Sequence, residues 1–141
     1  MDDNDADALA ALITIGRLRE HRAIVRSARA RQAVRLLEAT CQQHEDAITG
    51  LQQERERAGY AQFHALQAGR PSVALQVFMD AVPARLQQQQ GELLAVQAQR
   101  QQALAVARDA AQAVAAAQER GRAYADLLVA WRVAQQLAGG D

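Results

Sequence analysis

From Met79 onward, apolar side chains recur at alternating steps of three and four residues. The positions are Met79, Val82, Leu86, Gln89, Leu93, Val96, Arg100, Ala103, Ala107, Ala110, Val114, Ala117, Gly121, Tyr124, Leu128 and Trp131, and only Gln89, Arg100 and Gly121 interrupt the series. A seven-residue pattern kept in phase over this length predicts one helix with a coiled-coil seam along one side. The first half carries a shorter stretch of the same spacing in Val34, Leu37, Cys41, His44, Ile48 and Leu51. Upstream, Leu12, Ile15, Leu18 and Val25 form a run in a different phase, which predicts a stutter in the seam.

Between the two patterns, Ala68, Gly69, Arg70, Pro71 and Ser72 make the clearest break in the chain. Gly69 suits the left-handed conformation that ends helices, Pro71 cannot continue one, and Ser72 is a natural N-cap. These signals predict a helix over about 5–67, a turn and short helix over about 68–82 and a second helix over about 83–137, ended by Gly139 and Gly140. Pro83 either opens the second helix or kinks a continuous one. Gly50, Gly59, Gly91 and Gly121 fall inside the helices and weaken them locally, and Thr49–Gly50 is where a break would fall.

Two long helices joined by one turn fold back on each other, so the fold class predicted is all-α, a long antiparallel two-helix coiled-coil hairpin with a short helical segment or kink near the turn. Partners should have residue numbers summing to about 140 to 150. Leu12, Ile15 and Leu18 would then meet Trp131, Leu128 and Tyr124. The small seam residues from Ala103 to Ala117 would let the backbones approach closely.

Composition supports a strip of core over a ball. Half of the residues are hydrophobic, many of them Ala, and aromatics are 4%. The formal net charge is zero, and all 16 basic residues are Arg. No apolar run is long enough for a membrane span, and the acidic opening Asp2, Asp3, Asp5 and Asp7 is opposite in sign to a secretory leader. With a single cysteine, Cys41, the expectation is a cytoplasmic protein, a monomeric hairpin in preference to an obligate oligomer.

The residues that carry chemistry are few. Cys41 and His44 have a spacing two metal ligands can use, but both occupy seam positions and two ligands do not close a zinc site. No phosphate-binding glycine loop or nucleophile elbow occurs, so the chain is read as no enzyme and as needing no cofactor or metal. The sharpest feature is basic. Arg17, Arg19, Arg22, Arg26, Arg29, Arg31 and Arg35 crowd the first helix with Glu20 alone opposing them. Arg19, Arg22, Arg26 and Arg29 repeat at three and four residues and so share one face. Such a stripe can be a solvated face, a docking surface for acidic protein, or a phosphate-backbone contact. The zero net charge and the lack of interleaved aromatics count against nucleic acid. Near the turn, Phe63, Phe78 and Met79 either cap the hairpin tip or form an apolar docking patch.

These features together resemble the FliJ/YscO family of type III secretion stalk proteins. The resemblance rests on the length and two long helices, on Leu18, Arg19, Arg22 and Ala23, on Gly69 to Pro71, on the Val73–Phe78 stretch, and on Arg120, Tyr124 and Trp131. The chain departs from that pattern in having no Lys and an Ala-rich second seam. The resemblance implies a stalk, cytoplasmic or peripheral at the secretion apparatus, whose paired termini dock in a hexameric export ATPase ring. The opposite end would approach the export gate, and secretion chaperones would be further partners. Carried onto this chain, the ATPase-docking residues would be Arg19, Arg22, Arg26, Arg29, Tyr124 and Trp131. Those facing gate or chaperone would be Phe63, Val73, Leu75, Phe78 and Met79. A nucleic-acid-associated basic coiled coil and a plain scaffolding or dimerisation coiled coil stand as the alternatives.

Overall fold

The computed structural model describes residues 3–139; Met1, Asp2, Gly140 and Asp141 lie outside the described residues. Two helices, α1 (Asp3–Gln67) and α2 (Val73–Gly139), pack against each other as an all-α hairpin, with no strand among the described residues. Neither helix is long and apolar enough together to cross a membrane. Gly139 is the last described helical residue, and Gly140, expected to share in ending α2, is not described.

The turn follows from its sequence. Gly69 takes φ +70°, the left-handed region that a side chain disfavours. The Arg70 N–H then donates to Ala65 O at 2.8 Å and the Gly69 N–H to Leu66 O at 3.0 Å, the paired bonds of a Schellman cap. Ser72 caps α2, its Oγ accepting from the Leu75 N–H at 3.3 Å. Gln62, buried on α1, clamps the other side: its Oε1 accepts from the Ser72 N–H at 3.0 Å and its Nε2 donates to Ser72 O at 3.2 Å. The amide thereby satisfies both backbone groups of the one residue that starts the return helix.

Two features of this half differ from the sequence expectation. No separate short helix follows the turn, because α2 runs without a break from Val73 with Pro83 inside it. Pro83 is exposed while its neighbour Val82 is fully buried, at 0% exposure. The ring thus faces away from α1, and Val82 holds the helix to its partner through the point where the proline removes a hydrogen bond. Nor does α1 break at Thr49–Gly50. It continues through Gly50 and Gly59, both half-buried, where tertiary packing outweighs the roughly 1 kcal/mol glycine penalty.

Packing divides the chain into two units, Val34–Gln102 and Met1–Ala33 with Ala103–Asp141. In the turn-bearing unit, Val34, Leu37, Cys41, His44, Ile48, Leu51, Ala58 and Gln62 of α1 are buried or half-buried, as are Met79, Val82, Leu86, Gln89, Leu93, Val96 and Arg100 of α2. The polar members pair across the seam. His44 Nδ1 lies 2.8 Å from Gln89 Oε1 and 3.6 Å from Glu92 Oε2, and Arg100 Nε lies 3.7 Å from Glu38 Oε1. The numbers of His44 and Gln89 add to 133 and those of Glu38 and Arg100 to 138, below the expected window of about 140 to 150.

In the terminus-bearing unit the α2 seam is again in its expected place: Ala103, Ala107, Ala110, Val114, Ala117, Gly121, Tyr124, Leu128 and Trp131 are all buried or half-buried. The α1 side corrects the reading. The seam shows no stutter and passes in unbroken phase through Leu9, Ile13, Gly16, Glu20, Ala23, Ser27 and Ala30, none of them exposed. Leu12 and Ile15 stand outside it at 44% and 45% exposure, and Leu18 is exposed as well. The physical reason is phase. Stepping back by fours and threes from Val34 lands on Ala30, Ser27, Ala23, Glu20, Gly16, Ile13 and Leu9, so Leu12 and Ile15, one residue off that line, fall on the flank.

Two outcomes follow for stability. Gly69→Ala should lower the unfolding free energy by about 1 kcal/mol and Gln62→Ala by about 1–2 kcal/mol, read from urea denaturation midpoints. Arg100→Leu should leave the midpoint within about 1 kcal/mol of wild type, because the leucine extends the seam while the half-exposed ion pair to Glu38 that it removes contributes little.

Candidate partner-docking surfaces

The arginine stripe is where the spacing places it. Arg19, Arg22, Arg26 and Arg29 are all exposed on α1, and none makes an ion pair among the described residues. Helical spacing shows what precedes them on the same line. Stepping back by three and four from Arg19 gives Ile15, Leu12 and Ala8, so the two exposed apolar residues and the four arginines form one stripe beside the seam. His21, Arg22, Arg26 and Arg29 surround the half-buried Val25, whose place outside the seam is explained by cover from arginine stems.

Where this stripe borders α2, a groove is lined by Leu12, Ile15, Gly16 and Arg19 of α1 and by Ala117, Arg120 and Tyr124 of α2. Its floor is small side chains, its flank is apolar and its rim is two guanidinium groups. Arg120 Nε donates to Ala116 O at 3.4 Å, a bond along its own helix, and no other partner of its guanidinium occurs among the described residues. A second groove, lined by Ile13, Arg17, Glu20, Gln118, Gly121, Arg122 and Ala125, carries its own carboxylate and so is less strongly basic.

Tyr124 and Trp131 therefore differ in kind from the four arginines. Both are half-buried seam residues, and of the two only Tyr124 also lines the arginine groove. The Trp131 Nε1 is enclosed with no hydrogen-bond partner, so its indole serves packing in the seam.

The structure separates the residues near the turn into two sets. Phe63 is 56% exposed and Val73 78% exposed, with the Phe63 ring edge-on to His64 at 5.9 Å. Leu75, Phe78 and Met79 are half-buried, and Leu75 and Phe78 border a shallow groove with Glu54, Arg57, Ala58 and Ala61. Tyr60, Leu66 and Val77 are exposed in the same region. Their helical phase, off the seam, was the signal that could have found them. Met79 belongs to the seam. Phe63 and Val73 remain open to a partner.

Cys41 is buried and His44 points its Nδ1 at Gln89, so both act as seam residues. Among the described residues no group of three or more His, Cys, Asp or Glu is arranged to hold a metal ion. Of the Gln87–Gln90 run, Gln89 turns into the seam while Gln87, Gln88 and Gln90 are exposed.

No family model matches the chain, no curated protein matches it, and no solved structure matches it.

The arginines of the stripe are exposed and unpaired, so reversing Arg22, Arg26 and Arg29 to Glu should change thermal stability by no more than about 0.5 kcal/mol. A circular-dichroism melt against the wild-type chain checks this.

Proposed function

We propose that this chain is a stalk-like accessory protein of a type III secretion system, which binds the hexameric export ATPase and couples it to the export gate or to secretion chaperones. It would work in the cytoplasm or peripherally at the secretion apparatus, by protein contacts and without catalysis of its own. The observation that carries the reading is the row of exposed, unpaired arginines on the terminus-bearing unit of a helical hairpin. Exposed guanidinium groups at helical spacing bind carboxylates bidentately and give a docking surface both attraction and orientation. The resemblance of the sequence to the FliJ/YscO family supplies the class of partner. Exposed Phe63 and Val73 in the turn-bearing unit supply an apolar patch for a second partner.

Co-purification with a type III export ATPase, together with its hydrolysis rate, tests the proposal. The wild-type chain should co-purify with the ring and change its rate. The variant with Arg19, Arg22, Arg26 and Arg29 all reversed to Glu should lose at least about tenfold in affinity. Phe63→Ser with Val73→Ser should leave ring binding intact and weaken binding to the gate or chaperone. No co-purification and an unchanged rate would overturn the reading.

A further inference from the structure

We infer that the groove carrying Leu12, Ile15, Arg19, Arg120 and Tyr124 receives an amphipathic helix with an acidic flank, supplied by a partner protein. The inference rests on the proposed docking role of this face and names the chemistry of what docks there, whether or not that partner is an ATPase.

The first observation is the order of residues along the stripe. Leu12 and Ile15 come first and Arg19, Arg22, Arg26 and Arg29 follow on the same line, so one surface passes from apolar to cationic along the helix axis. The α2 side of the groove repeats the mixture, with the Tyr124 ring beside Arg120, and the exposed Leu127 continues the line of Arg120 one further step along the helix. Apolar groups left in water on both walls of a groove gain by being covered, at roughly 25 cal/mol per Å² removed from water.

The second observation is the floor. Gly16 and Ala117 are the seam residues beneath the groove, and a Cβ built on Gly16 would meet no atom within 4 Å. A third helix can therefore set its ridge into this groove as helices do when they pack. From Arg19 to Arg29 the stripe runs about 15 Å at about 1.5 Å per residue, with a guanidinium at every turn. An occupant helix bearing Asp or Glu at the same spacing matches that row bond for bond.

The third observation is charge. No acidic side chain shares the stripe from Ala8 to Ala33, and neither Arg19 nor Arg120 makes an ion pair among the described residues. An acidic occupant is the complement. A second copy of this chain using the same face would set the same arginines of two molecules against each other. A nucleic acid would use the arginines but would leave Leu12 and Ile15 uncovered.

Fluorescence anisotropy with the full-length chain tests the inference, using a labelled synthetic helical peptide of about three heptads with Leu on one face and Glu flanking it. Two control peptides replace Glu with Lys, or keep the composition in scrambled order. The Leu/Glu peptide should bind saturably at about 0.15 M salt and the controls should not. Leu12→Gln with Ile15→Gln, and separately Arg19→Glu with Arg120→Glu, should each weaken binding at least about tenfold, and Phe63→Ser should leave it unchanged. Circular dichroism of each variant confirms the helices, and the arginine pair reads the groove even where the apolar pair disturbs folding. No binding of the Leu/Glu peptide, equal binding of a control, or indifference to both double variants overturns the inference. So does the pattern in which duplex DNA or anionic vesicles bind through the arginines without regard to Leu12 and Ile15 while the peptide does not. Peptide binding without any effect on an export ATPase would sink the proposed function and leave the groove. An ATPase that responds while the peptide fails would do the reverse.

Discussion

Packing along one seam, kept in phase from turn to turn, is the constraint on which both units depend. A two-helix contact has no third layer, so each seam residue is covered from one side only. Val82 is the one large side chain that is completely buried among the described residues. Elsewhere the deepest positions are held by Leu9, Ala30, Val34, Cys41, Ala58 and Ala110, and by Ser27 and Gln62. Each contributes little area, so stability rests on the phase being kept over many turns more than on a few large anchors. That explains why α2 runs past Pro83 and α1 past Gly50 without interruption. A local backbone penalty of about 1–3 kcal/mol is smaller than the loss that a phase break would impose on every contact beyond it.

The same constraint decides what the sequence could disclose. In α2 the apolar residues and the seam coincide, so a three-and-four count from Met79 to Trp131 finds the buried face at every step. The turn is equally legible, because Gly69 and Ser72 each have a single conformational use there and both are put to it. The first third of α1 is different. Its seam is Leu9, Ile13, Gly16, Glu20, Ala23, Ser27 and Ala30, and from Gly16 to Ala30 it holds no large apolar residue for a hydrophobic count to select. Leu12, Ile15 and Leu18 drew the count to the neighbouring face and imitated a stutter. A heuristic that looks for large apolar side chains chooses the wrong stripe wherever the true seam is made of small and polar residues. The step of three and four carried back from Val34 is the signal that should override it.

Legibility of the docking surfaces divides along similar lines. The four arginines were readable as one face from spacing alone, since charge needs no knowledge of the partner helix. That Leu12 and Ile15 belong to the same face was hidden as long as they were assigned to the seam. Near the turn, Phe63 and Val73 face outward while Leu75, Phe78 and Met79 face inward. All five are apolar and lie near the turn, Phe63 on α1 and the other four within two turns of α2, and the register set by Gln62 and Ser72 separates them.

An apolar segment and a cationic segment on one stripe make different contributions to recognition. Covering Leu12 and Ile15 supplies affinity without direction, since any apolar surface of suitable shape gains by it. The arginines supply direction and exclusion: a carboxylate row in register is drawn in, while a cationic or unpatterned helix must strip water from guanidinium groups and offer nothing in return. Charge at the flank and apolar contact beside it is also the usual division within protein interfaces. A face made of charge alone would take any polyanion, and a face made of leucine alone would take its own copies. Their juxtaposition at Ile15 and Arg19 narrows the occupant to one that carries both properties in the same order, and that order can be written into a helix with a single repeat.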